Sequence, residues 1–137
     1  MEIRFTVRDL LALGLGLAFI SVGIDHFINP SWYEPIVPSA LPDATFWVLA
    51  SGFFEILFGL LLIIPYTRSW ASVGTAWMLV VLYWANFNMW YNDIPLSGKT
   101  YDDIWHVVRL IIQIGLILGV TWIGEVTPFK GREKLHD

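Results

Sequence analysis

The sequence predicts an all-α integral membrane protein: an antiparallel four-helix bundle with both termini cytoplasmic, in which residues 1–137 form one transmembrane domain. Three observations predict it. Apolar residues make up 56% of the 137-residue chain and charged residues 15%, against about 25% charged in a soluble domain. Four apolar stretches, at 10–27, 44–64, 70–90 and 104–124, approach or reach the roughly 20 helical residues that cross a bilayer. Threaded through four spans, six of the eight basic residues fall on one side, as cytoplasmic loops require. A net charge of −4 leaves no basic surface for nucleic acid, and the absence of cysteine excludes disulfides, thiol catalysis and thiolate metal sites.

The first span follows Arg4 and Arg8. It reads as a span and not as a signal peptide, because no small-x-small cleavage site follows and the run continues into Asp25, His26 and Phe27. The link to the second span holds Pro30, Pro35, Pro38 and Pro42. Such a segment cannot continue a helix, and is expected to form a structured, non-helical cap. Trp32, Tyr33, Ile36 and Val37 of this cap would dip into the interface. The second and third spans are joined by a tight turn, Pro65 to Ser69, that carries Arg68. Asn92, Asp93, Pro95, Ser97 and Gly98 mark a surface loop before the fourth span, and Lys130, Arg132 and Lys134 follow it. Tryptophan and tyrosine gather near the span ends, where rings meet headgroups.

Ionisable groups within spans are expensive and face the protein interior. The candidates are Asp25 and His26 at the outer end of the first span, Glu55 in the second, Asn86 in the third, and His106, Arg109 and Gln113 in the fourth. The last three share one stripe at i, i+3, i+7. Ser51, Gly52, Glu55 and Gly59 share a face whose small residues admit a close neighbour. Gly14, Ala18, Ser21 and Asp25 are expected to form the inner face of the first span, and Thr75, Leu79, Tyr83 and Asn86 that of the third. At a rise of about 1.5 Å per residue, Asp25, Asn86, His106 and Arg109 lie within roughly 8 Å of the outer end, and Glu55 and Gln113 at about 14–16 Å. The expectation is a polar cavity open to the outer side with Glu55 at its floor. Arg109 would pair with Asp25 or Glu55. A buried carboxyl without a close cation stays neutral, and Glu55 would then donate to Gln113 or to a ligand carbonyl. The same residues also admit a purely structural reading, as ties between helices. No metal site is expected, since His26 and His106 have no third ligand in view. Gly115 and Gly119 form a GxxxG pair, read first as internal packing and second as the seam of a homo-oligomer.

The chain resembles the DoxX family of small bacterial membrane proteins. The resemblance rests on Gly23, His26-Phe27 and Pro30, then Ile36-Val37-Pro38 and Leu41-Pro42, then Ser51-Gly52, Glu55 and Gly59. Ala85-Asn86 and the Arg109-x-x-x-Gln113 spacing extend it over almost the whole chain. Trp84 stands where the family commonly has proline, which removes the expected kink in the third span. The resemblance implies a four-helix bundle of the bacterial inner membrane, associated with quinone chemistry or a membrane redox complex.

Two functions compete. In the first, the protein binds a quinone or similar apolar carbonyl compound among Asp25, His26, Glu55, Asn86, His106, Arg109 and Gln113. Having no cysteine and no haem or flavin motif, it would work with a redox protein partner. In the second it is a non-catalytic accessory subunit or assembly factor. Transport ranks lower, because the inner half of the spans carries almost no polar residue.

Overall fold

The computed structural model describes residues 5–96 and 98–126. Arg4, Ser97, Lys130, Arg132 and Lys134 lie outside the described residues. The chain is all-helical: α1 (Val7–Ile28), α2 (Pro30–Tyr33), a 3-10 turn (Glu34–Ile36), α3 (Ala44–Ile63), α4 (Arg68–Tyr91) and α5 (Asp103–Ile123). By length and composition, α1, α3 and α5 can cross a membrane. Helix α4 has 24 residues, about 36 Å at the helical rise, but Arg68, Ser69, Ser72, Thr75, Asn86 and Asn88 dilute its apolar character.

Local chemistry sets the helix ends. Thr6 and Asp9 cap each other: the Asp9 amide donates to Thr6 Oγ1 at 3.2 Å and the Thr6 amide donates to Asp9 Oδ2 at 2.9 Å. This reciprocal cap starts α1 at Val7, three residues ahead of the apolar run. The proline-rich link is not wholly non-helical, which corrects the expectation above. Pro30 occupies the first turn of α2, where the missing N–H is no loss and the fixed φ suits a helix. Asp43 takes φ 54° and its side chain accepts from the Phe46 amide at 3.2 Å, starting α3.

Helices α1 and α3 run antiparallel in backbone contact. A Cβ on Gly16 would lie 2.6 Å from the Gly59 carbonyl oxygen, and one on Gly23 would lie 2.6 Å from that of Gly52. The buried stripe of α1 is therefore Ala12, Gly16, Phe19, Gly23 and His26. The predicted stripe of Gly14, Ala18 and Ser21 is exposed. Close approach selects the face that carries glycine at seven-residue spacing. On α3 the expected face holds, with Gly52, Glu55 and Gly59 buried. On α4, Thr75 and Leu79 are buried as expected, and Tyr83 and Asn86 half-buried. One apolar core draws on all four long helices through Phe19, Leu62, Ala71, Met78, Leu79 and Val120. Helix α5 packs chiefly on α4 and touches α1; among the described residues it makes no close approach to α3.

Of the GxxxG pair only Gly119 packs internally, and only loosely. A Cβ on Gly115 would meet nothing within 4 Å, and one on Gly119 only Leu15 Cδ1 at 3.9 Å. Side chains such as Leu17, Ile24, Phe53, Leu60, Ile111 and Leu118 are exposed outside the core. So large an apolar exterior suits contact with lipid hydrocarbon.

Arg68 is not the surface residue of a turn. It is buried, donating from Nε to the Leu62 carbonyl at 2.9 Å, from one terminal nitrogen to Ile63 at 3.1 Å and from the other to Asp9 Oδ1 at 2.8 Å. It thereby satisfies carbonyls that the end of α3 leaves orphaned and ties them to the start of α1. Nearby, Arg8 pairs with Glu125 at 2.6 Å and lies over the Trp122 ring.

Candidate functional site

The structure divides the seven candidate residues into two groups. Asp25, His26 and Glu55 lie along the α1–α3 pair. Asn86, His106, Arg109 and Gln113 lie on α4 and α5.

In the first group His26 and Glu55 are both buried, with His26 Nε2 3.5 Å from Glu55 Oε2. Counting depth along each helix set these residues apart, but side chains lean toward the N-terminus of their own helix. In an antiparallel pair His26 therefore leans inward and Glu55 outward, and they meet. The tautomer follows from the other ring nitrogen. His26 Nδ1 lies 3.0 Å from the Val48 carbonyl and 3.0 Å from Ser51 Oγ. The Ser51 hydroxyl gives its own proton to Val48 O at 2.8 Å. Both neighbours thus present lone pairs, so Nδ1 carries the hydrogen and Nε2 faces the carboxyl. Glu55 Oε2 is buried with no hydrogen-bond partner among the described residues. Nε2 and Oε2 face each other at 3.5 Å, longer than a well-formed hydrogen bond.

The pair adjoins an open cleft through Tyr33. The Tyr33 ring lies 4.0 Å from that of His26, centroid to centroid. Its hydroxyl donates to Asp25 Oδ2 at 2.5 Å, and Asn29 Nδ2 donates to Asp25 Oδ1 at 2.9 Å. Burial, with the Asp25 carboxylate accepting its proton, pushes the Tyr33 phenol up, so it stays a neutral donor. The cleft measures about 630 Å³, and its walls include Asp25, Asn29, Trp32, Tyr33, Pro35 and Pro95. Glu55 is not part of that wall; it stands behind Tyr33 and His26.

In the second group His106 is buried and stacked on Trp90, with ring centroids 5.5 Å apart at 10°. Trp90 Nε1 donates to Asp103 Oδ1 at 3.0 Å. Arg109 donates to Met89 Sδ at 3.4 Å and lies over the Tyr101 ring, 4.6 Å from its centroid. Among the described residues it pairs with neither Asp25 nor Glu55, which corrects the expectation: Asp25 is held by Tyr33 and Asn29, and α5 makes no close approach to α3, which carries Glu55. Gln113 donates to the Leu79 carbonyl, so it too turns away from Glu55. Asn86 is half-buried on α4, and its neighbour Asn88 holds the 3-10 turn by donating to the Ile36 carbonyl at 3.0 Å. Among the described residues no group of three or more histidine and carboxylate side chains is placed to hold a metal.

The family model described as Domain of unknown function (DUF8561) matches residues 15–124. The chain belongs to this family. The matched segment contains all seven candidate residues together with Tyr33, Ser51 and Arg68. No curated protein and no solved structure matches the chain.

Proposed function

We propose that this member of the family is a multi-pass, DoxX-like four-helix bundle of the bacterial inner membrane that binds a quinone or similar apolar carbonyl compound. The head of that compound would enter the cleft at Asp25 and Tyr33, and its tail would lie against the apolar helix faces. Arg8 and Arg68 at one end and the acidic loops at the other support cytoplasmic termini. The observation that carries the reading is the buried, unpartnered Glu55 oxygen facing His26 Nε2. Buried polar atoms are nearly always satisfied, and an exception calls for a physical reason, which a ligand-binding role beside the cleft supplies. Reducing a quinone to its hydroquinone takes two electrons and two protons. The two protons reach the head from water through the open cleft, where Asp25 and Tyr33 stand, with the Glu55–His26 pair behind that wall. The electrons come from a redox protein partner, since the chain holds no thiol.

The test is native mass spectrometry of the protein extracted gently from its own membrane, with lipid extraction and identification of what co-purifies. A retained apolar carbonyl compound, reduced about tenfold in folded Glu55→Gln or His26→Gln, is the expected result. An empty protein holding a stoichiometric protein partner would overturn it in favour of an accessory subunit or assembly factor.

A further inference from the structure

A different part of the outer end lacks an anion. Lys99 Nζ lies 5.6 Å from the centroid of the Tyr101 ring, and Arg109 Cζ lies 4.6 Å from the same centroid. Two cations thus share one aromatic side chain. Among the described residues neither has a carboxylate within 4.0 Å; the ion pairs found there belong to Arg8, His26 and Arg68. The nearby acids are otherwise engaged or free of both cations. Asp103 accepts from Trp90, Asp25 accepts from Tyr33 and Asn29, and Asp102 stands at the start of α5 without an ion pair. The polar acceptor that Arg109 does have is a thioether sulfur at 3.4 Å, one of the weakest in proteins. A guanidinium has five N–H donors in a rigid fork suited to oxyanions. Arg109 is half-buried, so its unused donors are partly withdrawn from water, and the two cations at one ring have no carboxylate to balance them. An oxyanion on the guanidinium, within reach of the flexible Lys99 side chain, offsets both.

We propose that Lys99 and Arg109 together bind a phosphate group at the outer rim, with Tyr101 holding both cations in place. Arg109 lies six residues into α5, about 9 Å along the axis. A long side chain rising from that depth reaches the phosphate level of a bilayer. The source is an anionic phospholipid headgroup or a free phosphate. This site shares no residue with the cleft wall and stands or falls apart from the quinone reading.

The experiment is native mass spectrometry of the protein in micelles doped with equal phosphatidylglycerol and phosphatidylcholine, for wild type, Arg109→Gln and Lys99→Gln. Thermal melts establish that each variant is folded. Lys99 lies in an exposed loop, so its variant keeps the test alive if the other fails to fold. Wild type should retain phosphatidylglycerol preferentially, and each folded variant should retain about tenfold less. Retention that resists millimolar inorganic phosphate assigns the lipid as source; displacement by inorganic phosphate assigns a free anion. Equal phosphatidylglycerol retention in wild type and either folded variant overturns the proposal.

Discussion

Two side chains, Glu55 and Tyr33, show how much a single proton's position governs here. Glutamine at position 55 has the shape of a neutral glutamic acid and still presents an N–H to His26 Nε2. Glu55→Gln should therefore leave the thermal melt in detergent within about 1 kcal/mol of wild type. Collapse of the folded state would mean that the carboxylate is needed as a charge. Glu55→Leu removes the polar group but leaves the tautomer of His26 set by Val48 and Ser51, so it should fold and lose ligand. Tyr33 permits a pH experiment. Its phenol is pushed up, so the folded state holds that proton longer than the unfolded chain does. The stabilisation is complete below about pH 10, the ordinary tyrosine value, and declines as pH rises past it. At pH 11 the phenolate absorbance of Tyr33→Phe should equal that of wild type, because Tyr33 contributes none. A loss equivalent to one tyrosine would contradict this.

Among the elements, the pairing of α1 with α3 is the most exacting. Gly16, Gly23, Gly52 and Gly59 each face a backbone oxygen 2.6–2.8 Å from where a Cβ would stand. Gly23→Ala or Gly52→Ala should force the helices apart and lower stability by about 1–3 kcal/mol. Gly115→Ala meets open space and should raise stability by up to about 1 kcal/mol through helix propensity alone. Parallel melts of the three variants decide the matter; equal effects would mean that the seam is looser than described. The same elements show what could be read from the sequence. The long helices were legible because apolar runs of this length have few alternatives. The inner face of α3 was legible because its small residues and Glu55 coincide. The inner face of α1 was not, because Gly14 and Gly16 mark different faces and only the partner helix chooses between them. Glycines seven residues apart on both α1 and α3 were the available signal. Matching them antiparallel brings His26 toward Glu55. Arg68 escaped because a basic residue beside a proline turn reads as surface, and nothing local announces that it caps the preceding helix.

For the whole molecule, stability at the two ends should differ in kind. At one end Arg68 joins the last turn of α3 to the first turn of α1. Arg68→Ala strands the Leu62 and Ile63 carbonyls and should lower stability by at least about 2 kcal/mol. Lys99→Ala, in an exposed loop at the other end, should change it by less than about 0.5 kcal/mol. Similar losses in both variants would show that Arg68 reaches water and caps nothing. The candidate site follows the same division. Its α1–α3 part is built on rigid backbone contact, while its α4–α5 part rests on side chains around one tyrosine and one tryptophan.

The glycine seam also sets a timescale. Where two backbones touch, a helix cannot shift without breaking the contact along its length, whereas α5 approaches α4 that closely only at its C-cap Gly124 and leaves most of its length half-buried or exposed. Breathing of the fold should therefore begin at α5. Amide protons near Gly16, Gly23, Gly52 and Gly59 should be the slowest in the molecule to exchange with heavy water, and those of α5 the first to be replaced.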